Sequence, residues 1–475
     1  MNDHRRRRPS RPNGSRPPKR KDSPARPPAE VDPARQVALD VLRAVRERDA
    51  YANLALPQLL GQRKVTGRDA ALATELTYGT SRAAGLLDEI LAACSNRPLS
   101  DVEPTLLDAL RLGAYQLLRT RIPSHAAVAS TVDMVRAEAG SRPAGFVNAV
   151  LRRVGERDEA GWIAELAPDP AADPVGHLAL RHSHPRWIAQ AFADALGSTG
   201  DELAAALAAD DARPAVHLVA RPGEISADEL AAITGGDPAP YSPYGVHLEA
   251  GAGDPGDLEP VREGFAAVQD EGSQLAALAV TRPDVAGSDL RWLDLCAGPG
   301  GKANLLGALV TLDGGVLDAV EQAPHRAELV RGITRDLSVR VHVADGRDPG
   351  LEPGYDRVLV DAPCTGLGAL RRRPEARWRR SPDDVGDLGK LQRELLLAAV
   401  SLARPGGVVG YVVCSPHLAE TEGVVSDVVR RSGATQLDAR PHFPDVPHLG
   451  DGPGVQLWPH LHGTDAMYCA LLRAA

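Results

Sequence analysis

The sequence predicts a multidomain protein with an N-terminal all-α bundle, a small α+β subdomain and a C-terminal doubly wound α/β domain. Three observations carry this. From Pro33 to about Gly155, apolar residues recur at helical spacing with few strand signals. From Phe265 onward, short β-branched runs alternate with helix-length segments. Two of those runs, Arg357–Val360 and Val408–Val413, lead into Cys364 and Cys414 across a helix-length segment, Asp384–Ala403. A strand–helix–strand crossover makes the two strands parallel, so both thiols should leave one carboxyl edge of one sheet. Open α/β sheets bind their ligands at that edge.

At 475 residues the chain exceeds one hydrophobic core, and 43% apolar with 25% charged residues is an ordinary globular composition. No apolar stretch spans a bilayer and no signal-peptide core follows the N-terminal charges, so a cytoplasmic protein without membrane contact is expected. Five scattered cysteines argue against a disulfide framework, and no zinc-like spacing appears, so no metal is expected. Cys94 and Cys469 read as buried small hydrophobes. Residues 1–30 hold ten Lys or Arg against three acids, which leaves 44 basic against 60 acidic residues elsewhere. This tail, residues 1–32, is rich in Pro, Ser and Gly, and is expected to be disordered and to reach phosphate backbones.

In the bundle, residues 33–155, helices are predicted over Ala34–Val45, Arg68–Tyr78, Gly85–Ala93, Pro104–Leu118, His125–Ala139 and Ala144–Val154. Residues 156–265 read as mixed, with a helix opening at His184-Pro185, strands at Ala215–Ala220 and Gly245–Leu248, and a helix at Ser226–Ile233. Residues 266–475 alternate: strands at Leu290–Leu295, Gly315–Val320, Val339–Val343, Arg357–Val360 and Val408–Val413, with helices between. Two more strands are predicted near Gln456–Trp458 and Ala466–Leu472.

The first strand of that domain runs into Cys296-Ala297-Gly298-Pro299-Gly300-Gly301-Lys302. Glycines there let a backbone approach a ligand and aim helix N-terminal amides at it. A phosphate-binding P-loop needs Ser or Thr after Lys302, where Ala303 stands, and a dinucleotide turn needs a glycine at that same position. An adenosylmethionine loop fits best. Glu321, ending the second strand, would hold ribose hydroxyls, and Asp345, after the third, would lie near the adenine amine. The thiols then acquire a purpose. Carbon 5 of a pyrimidine is a poor nucleophile, and thiolate addition at carbon 6 turns the ring into an enamine that attacks a sulfonium methyl. A second thiol and Asp361 would help in proton transfer and release. Residues alone leave open which thiol attacks.

Asp361-Ala362-Pro363-Cys364-Thr365-Gly366-Leu367-Gly368, with Arg371-Arg372-Arg373-Pro374-Glu375 and Trp378, resembles the signature of RNA cytosine-5 methyltransferases. Tyr411–Ser415 with Glu422 resembles their second thiol motif, and Val268–Gln274 their entry into the catalytic domain. The N-terminal bundle is similar to the NusB-like RNA-binding domain, which together points to the RsmB (Sun/Fmu) subgroup and small-subunit ribosomal RNA. The resemblance implies a Rossmann-like methyltransferase domain, Cys414 as nucleophile and Cys364 in adduct breakdown, with Asp361 assisting. It implies S-adenosyl-L-methionine held by Cys296–Lys302, Glu321, Arg326, Asp345 and Asp361. The run Arg371, Arg372, Arg373, Arg377, Arg379 and Arg380 around Trp378 suits an RNA strand, with guanidiniums for phosphates and an aromatic for stacking or packing. The chain departs from the family pattern at Val413, where Ser or Thr is usual, at Thr365, and at Gly463–Tyr468. A monomer is expected. A non-catalytic RNA-binding assembly factor, or a transfer RNA substrate, are the other readings.

Overall fold

The computed structural model describes residues 32–249, 251 and 253–475. The basic tail lies outside the described residues except for Asp32, whose carboxylate caps the first helix by accepting the Arg35 N–H at 2.9 Å.

Helices α1 (Pro33–Arg48), α2 (Ala52–Arg63), α3 (Gly67–Cys94), α4 (Pro104–Arg119), α5 (Ser124–Ala139) and α6 (Ser141–Val154) form the N-terminal bundle. Their inward stripes, with Leu87, Ile90, Leu110 and Leu151 fully buried, make one apolar core. The segments predicted over Arg68–Tyr78 and Gly85–Ala93 are a single helix, α3, because no Pro or cap sequence separates them. Gly85 inside it is a packing site: a Cβ there would lie 2.2 Å from the Trp378 indole. Helix α2 has no clear apolar periodicity and contains Pro57, which hid it from a periodicity reading.

Helical structure continues past residue 155 through α7 (Glu159–Leu166), α8 (Pro174–Arg181), α9 (Arg186–Leu196) and α10 (Asp201–Asp211). Trp162 on α7 packs into the bundle core, whereas α8 to α10 pack against Leu367, Leu370 and Trp458 of the C-terminal domain. The mixed part is therefore shorter than residues 156–265. It is an antiparallel four-stranded sheet in the order β2-β3-β1-β4, from β1 (Val216–Ala220), β2 (Asp237–Pro238), β3 (Gly245–Leu248) and β4 (Ala266–Val268). Two helices accompany it, α11 (Ala227–Thr234), opened by a Ser226–Glu229 capping box, and the single turn α12 (Glu259–Arg262).

The C-terminal sheet has eight strands: β5 (Arg291–Asp294), β6 (Val316–Glu321), β7 (Val339–Val343), β8 (Tyr355–Asp361), β9 (Ala403–Val413), β10 (Thr435–Leu437), β11 (Val455–Gln456) and β12 (Tyr468–Arg473). Their order is β10-β12-β9-β8-β5-β6-β7, with β11 beside β12; β5 to β9 are parallel and β12 runs antiparallel to β9. Strand order reverses between β5 and β8, so their carboxyl ends open a crevice. Helices α13 (Glu271–Thr281), α14 (Gly301–Leu312) and α15 (Pro324–Ile333) cover one face, and α17 (Pro382–Leu402) and α18 (Glu422–Ser432) cover the other. Side chains alternate between the faces as a strand requires. On β9, Val408 and Val412 join the α13–α15 side, while Val409, Tyr411 and Val413 join the α17–α18 side. Among the described residues no helix is long and apolar enough to cross a membrane.

The segment Arg371–Arg380, including the short helix α16 (Ala376–Arg379), clasps the domains together, which corrects the reading of Arg371, Arg372 and Arg377 as part of an RNA face. Arg377 is 0% exposed. Its guanidinium donates to Asp210 Oδ2 at 2.9 Å, Asp211 Oδ1 at 3.1 Å and the carbonyls of Asp210 and Ser183 at 2.7 and 3.1 Å. Asp210 also bonds His184 Nε2 at 2.9 Å. Arg371 and Arg372 share the buried carboxylates Asp270 and Asp465, at 2.7 to 3.2 Å. Burial opposes ionisation of Asp270, yet His217 and the two guanidiniums hold its pKa well below the usual carboxylate range. The Trp378 indole donates to Ser81 O at 2.8 Å. Arg371, Arg372 and Arg377 face inward because four carboxylates, distant in sequence, are brought to them, whereas Trp378 stays 36% exposed with its indole N–H engaged. Arg373 stays exposed.

Arg377→Ala leaves the wholly buried Asp210 without its cation, while Asp211 keeps its ion pair with Arg119. A loss of about 3–5 kcal/mol is expected, read as a lower urea midpoint, with Arg377→Lys restoring only part because an ammonium does not span both acids.

Candidate active site

One cavity of about 550 Å³ opens at the carboxyl ends of β5, β6 and β8, and both the glycine turn and the two thiols line it. Strands β8 and β9 are in parallel register with Asp361 opposite Val412, so the loops that follow them leave side by side. Cys364 and Cys414 end with their sulfurs 3.4 Å apart. Cys414 follows Val413, and parity turns it to the α13–α15 side, where it packs beside the cofactor turn. Val413 itself is fully buried in the opposite core, so its missing hydroxyl does not face the chemistry.

The loops are fixed from beneath by Glu420, which is 0% exposed. Its Oε1 accepts the Thr365 N–H at 2.8 Å and the Gln392 amide at 3.0 Å; its Oε2 accepts the Thr365 hydroxyl and the Ser415 hydroxyl, the latter at 2.7 Å. Each thiol is thus the immediate neighbour of a hydroxyl residue anchored on one carboxylate. Gly368 N–H, donating to Cys414 O at 2.9 Å, adds a further tie. Thr365 and Ser415, one after each cysteine, are the sequence signal for such a shared acceptor. Glu422, which the sequence singles out instead, is exposed in the first turn of α18.

Lys302 is buried and donates to Asp361 Oδ2 at 2.7 Å, joining the glycine turn to the end of β8. Burial opposes its charge, but Asp361 outweighs burial and its pKa is raised. The two thiols diverge. The Cys364 hydrogen bond, with help from Lys302 against the opposing effects of burial and Asp361, brings Cys414 below the ordinary thiol value. The same hydrogen bond, burial and the nearby Glu420 push Cys364 up. Cys414 is the sulfur that ionises first.

The turn itself is shaped to receive a ligand. A Cβ on Gly298 would lie 2.1 Å from Glu321 Oε2, so a side chain there would displace the Glu321 carboxylate from the turn. The Gly298 N–H donates to that oxygen at 3.1 Å and Ala323 N–H to Oε1 at 2.8 Å, while Arg326 donates to Gly298 O. Glu321 is thereby held at the cavity wall. Asp345 lines the same wall, gripped by Arg347 at 2.6 Å, whose hydrogen bonds lower its pKa. Cys296, Gly298 and Pro299 line the cavity too. Asp294, at the end of β5, lies outside the sequence-predicted set; burial and then Asp361 push its pKa up to about 7, and its Oδ2 has no partner among the described residues. Of the residues read as RNA-facing, Arg373, Arg379 and Arg380 line this cavity, and Arg371, Arg372, Arg377 and Trp378 do not.

A model described as 16S rRNA methyltransferase RsmB/F matches residues 285–473, and one described as the NusB family matches residues 32–156. Putative methyltransferase Rv1407 of Mycobacterium tuberculosis is 61% identical over 444 residues, 93% of this chain and 97% of that protein. Ribosomal RNA small subunit methyltransferase B of Klebsiella pneumoniae is 31% identical over 450 residues, 92% and 98% of the two chains. The crystal structure of PH0851 has the same fold, with a TM-score of 0.77 at 21% identity over 94% of this chain and 99% of that one. Fold and cavity thus define a Rossmann-like methyltransferase joined to a NusB-like helical domain. The chain belongs to the RsmB/F methyltransferase family, and S-adenosylmethionine is its cofactor.

Two outcomes check this geometry. Cys414 alkylation by iodoacetamide should rise with pH through a midpoint below the ordinary thiol value, and Lys302→Met, removing the cation, should move that midpoint to higher pH, followed by mass spectrometry of the labelled peptide. Glu420→Ala should lower kcat about a hundredfold by loosening both thiol loops, with adenosylmethionine affinity by calorimetry unchanged.

Proposed function

We propose that this protein methylates carbon 5 of a cytosine in small-subunit ribosomal RNA through a covalent cysteine adduct. The observation that carries the reading is the pair of thiols, 3.4 Å apart, in one cavity with the cofactor turn. The substrate follows the Klebsiella pneumoniae relative's description as a ribosomal RNA small subunit methyltransferase.

Cytosine must leave its stack to enter the cavity. Cys414, as thiolate, forms a bond to carbon 6, and the ring electrons move so that carbon 5 becomes nucleophilic. Bound S-adenosylmethionine supplies the electrophilic methyl group. Cys364, once its own proton has passed to the Asp361 carboxylate or to solvent in the cavity, takes the proton from carbon 5 as a thiolate, the carbon 6–sulfur bond breaks, and Cys414 departs as thiolate. Its timing has a physical cause. The hydrogen bond to Cys414 is the chief effect keeping Cys364 protonated, and that effect fades once Cys414 is alkylated by the base. Asp361, tethered by Lys302, stands at the cavity wall between the thiols and the cofactor turn, where it assists proton movement.

Cys414→Ala should abolish methyl transfer to RNA transcribed without modification. Cys364→Ala should instead accumulate a protein–RNA adduct that survives denaturing electrophoresis. The adduct appearing with Cys414→Ala and not with Cys364→Ala would reverse the two roles.

A further inference from the structure

The loop between α1 and α2 belongs to the helical domain, yet Asp49 and Tyr51 line the catalytic cavity. It is held there from across the domain boundary. Arg379 donates to the carbonyls of Val45, Asp49 and Ala50 at 2.7, 3.1 and 2.6 Å. Buried Glu375 accepts the Ala52 N–H at 3.1 Å, satisfying an amide that the first turn of α2 leaves free. The backbone is therefore pinned on both sides of Tyr51.

The Tyr51 ring is 44% exposed, and the guanidinium carbons of Arg373 and Arg379 lie 5.4 and 5.7 Å from its centre. Arg379 is committed to the three carbonyls. Arg373 is exposed, lines the same cavity, and makes no ion pair or side-chain hydrogen bond among the described residues. A lone exposed tyrosine is an ordinary surface residue. This one is fixed in place, half open, and flanked by an uncommitted cation on the wall of a cavity that also holds both thiols.

An aromatic face beside a guanidinium matches an unstacked nucleotide, with the base on the ring and the phosphate on the cation. We propose that Tyr51 and Arg373 bind a nucleotide neighbouring the target base, so that the helical domain contributes directly to substrate selection. This rests on the RNA-methylation reading above and adds to it where the strand lies.

The test uses the full chain and unmodified small-subunit ribosomal RNA transcribed in vitro, with filter binding for Kd and radiolabelled methyl transfer for KM and kcat. Tyr51→Ala should raise Kd and KM about tenfold, leaving the rate at saturating RNA, the adenosylmethionine affinity and the melting temperature unchanged. Tyr51→Phe should bind like the wild type. Arg373→Ala should weaken binding and lower the slope of log affinity against log salt by about one. Wild-type affinity in Tyr51→Ala would overturn the proposal, as would equal losses in Tyr51→Ala and Tyr51→Phe with a lowered melting temperature. If the wild type binds the transcript but transfers no methyl to cytosine, the methylation reading fails while the binding series still decides the role of Tyr51.

Discussion

The buried guanidinium of Arg377 is the interaction on which the arrangement of the domains depends. Two adjacent aspartates at the end of α10 face the catalytic domain, and a histidine beside them is held neutral by burial and by the cation itself. Asp210 is not tolerable in so dry a junction without that positive charge, whereas Asp211 is paired with Arg119 as well. Once Arg377 is seated, its neighbours have fixed work as well. Glu375 and Arg379 hold the α1–α2 loop, Trp378 lies over Gly85, and Arg371 with Arg372 closes onto Asp270 and Asp465. The divergent C-terminal stretch Gly463–Tyr468 thus supplies a carboxylate to the clasp. The cavity wall is assembled from parts of the chain more than three hundred residues apart.

Within that frame, chemistry is divided between two identical side chains by what lies next to each. The hydrogen bond between the sulfurs, with Lys302 in support, lowers the pKa of Cys414, and the same bond with burial and Glu420 raises that of Cys364, so one sulfur is favoured as an anion and the other as a thiol. Glu420 keeps the pair at contact distance, and the Lys302–Asp361 bond ties that pair to the cofactor turn. The glycine turn, the Lys302–Asp361 pair and the two thiols therefore share one cavity and its supporting loops.

Much of this was legible in the sequence. Short β-branched runs bounded by glycine and proline located β5 to β9, and the crossover rule placed both thiols on one edge before any coordinates. The glycine turn, Glu321 and Asp345 were readable because each follows a strand at a fixed topological place. The arginine run was not. Guanidiniums in a row look the same whether they meet solvent, nucleic acid or buried acids, and Asp210 lies 167 residues from Arg377. Glu420 was passed over for Glu422, two residues on, because spacing alone does not say which carboxylate turns inward. Tyr51 was invisible for a related reason: the helix it precedes has no strong periodicity, and its importance comes from a domain that sequence places far away.

Strand β9 carries a constraint of a different kind. From Val408 to Val413 its side chains alternate between two buried faces, and Cys414 is simply the next member of that alternation, beyond a valine committed to the other side. An insertion or deletion of one residue within the strand would exchange the positions of valine and cysteine, sending the sulfur into one core and exposing the edge of the other. Substitutions between Val408 and Val413 can be absorbed one at a time by repacking, whereas a change of length there is admissible only in pairs, unlike the irregular stretch before Val408. For this strand, evolution is free to vary what the side chains are but not whether their number is odd or even.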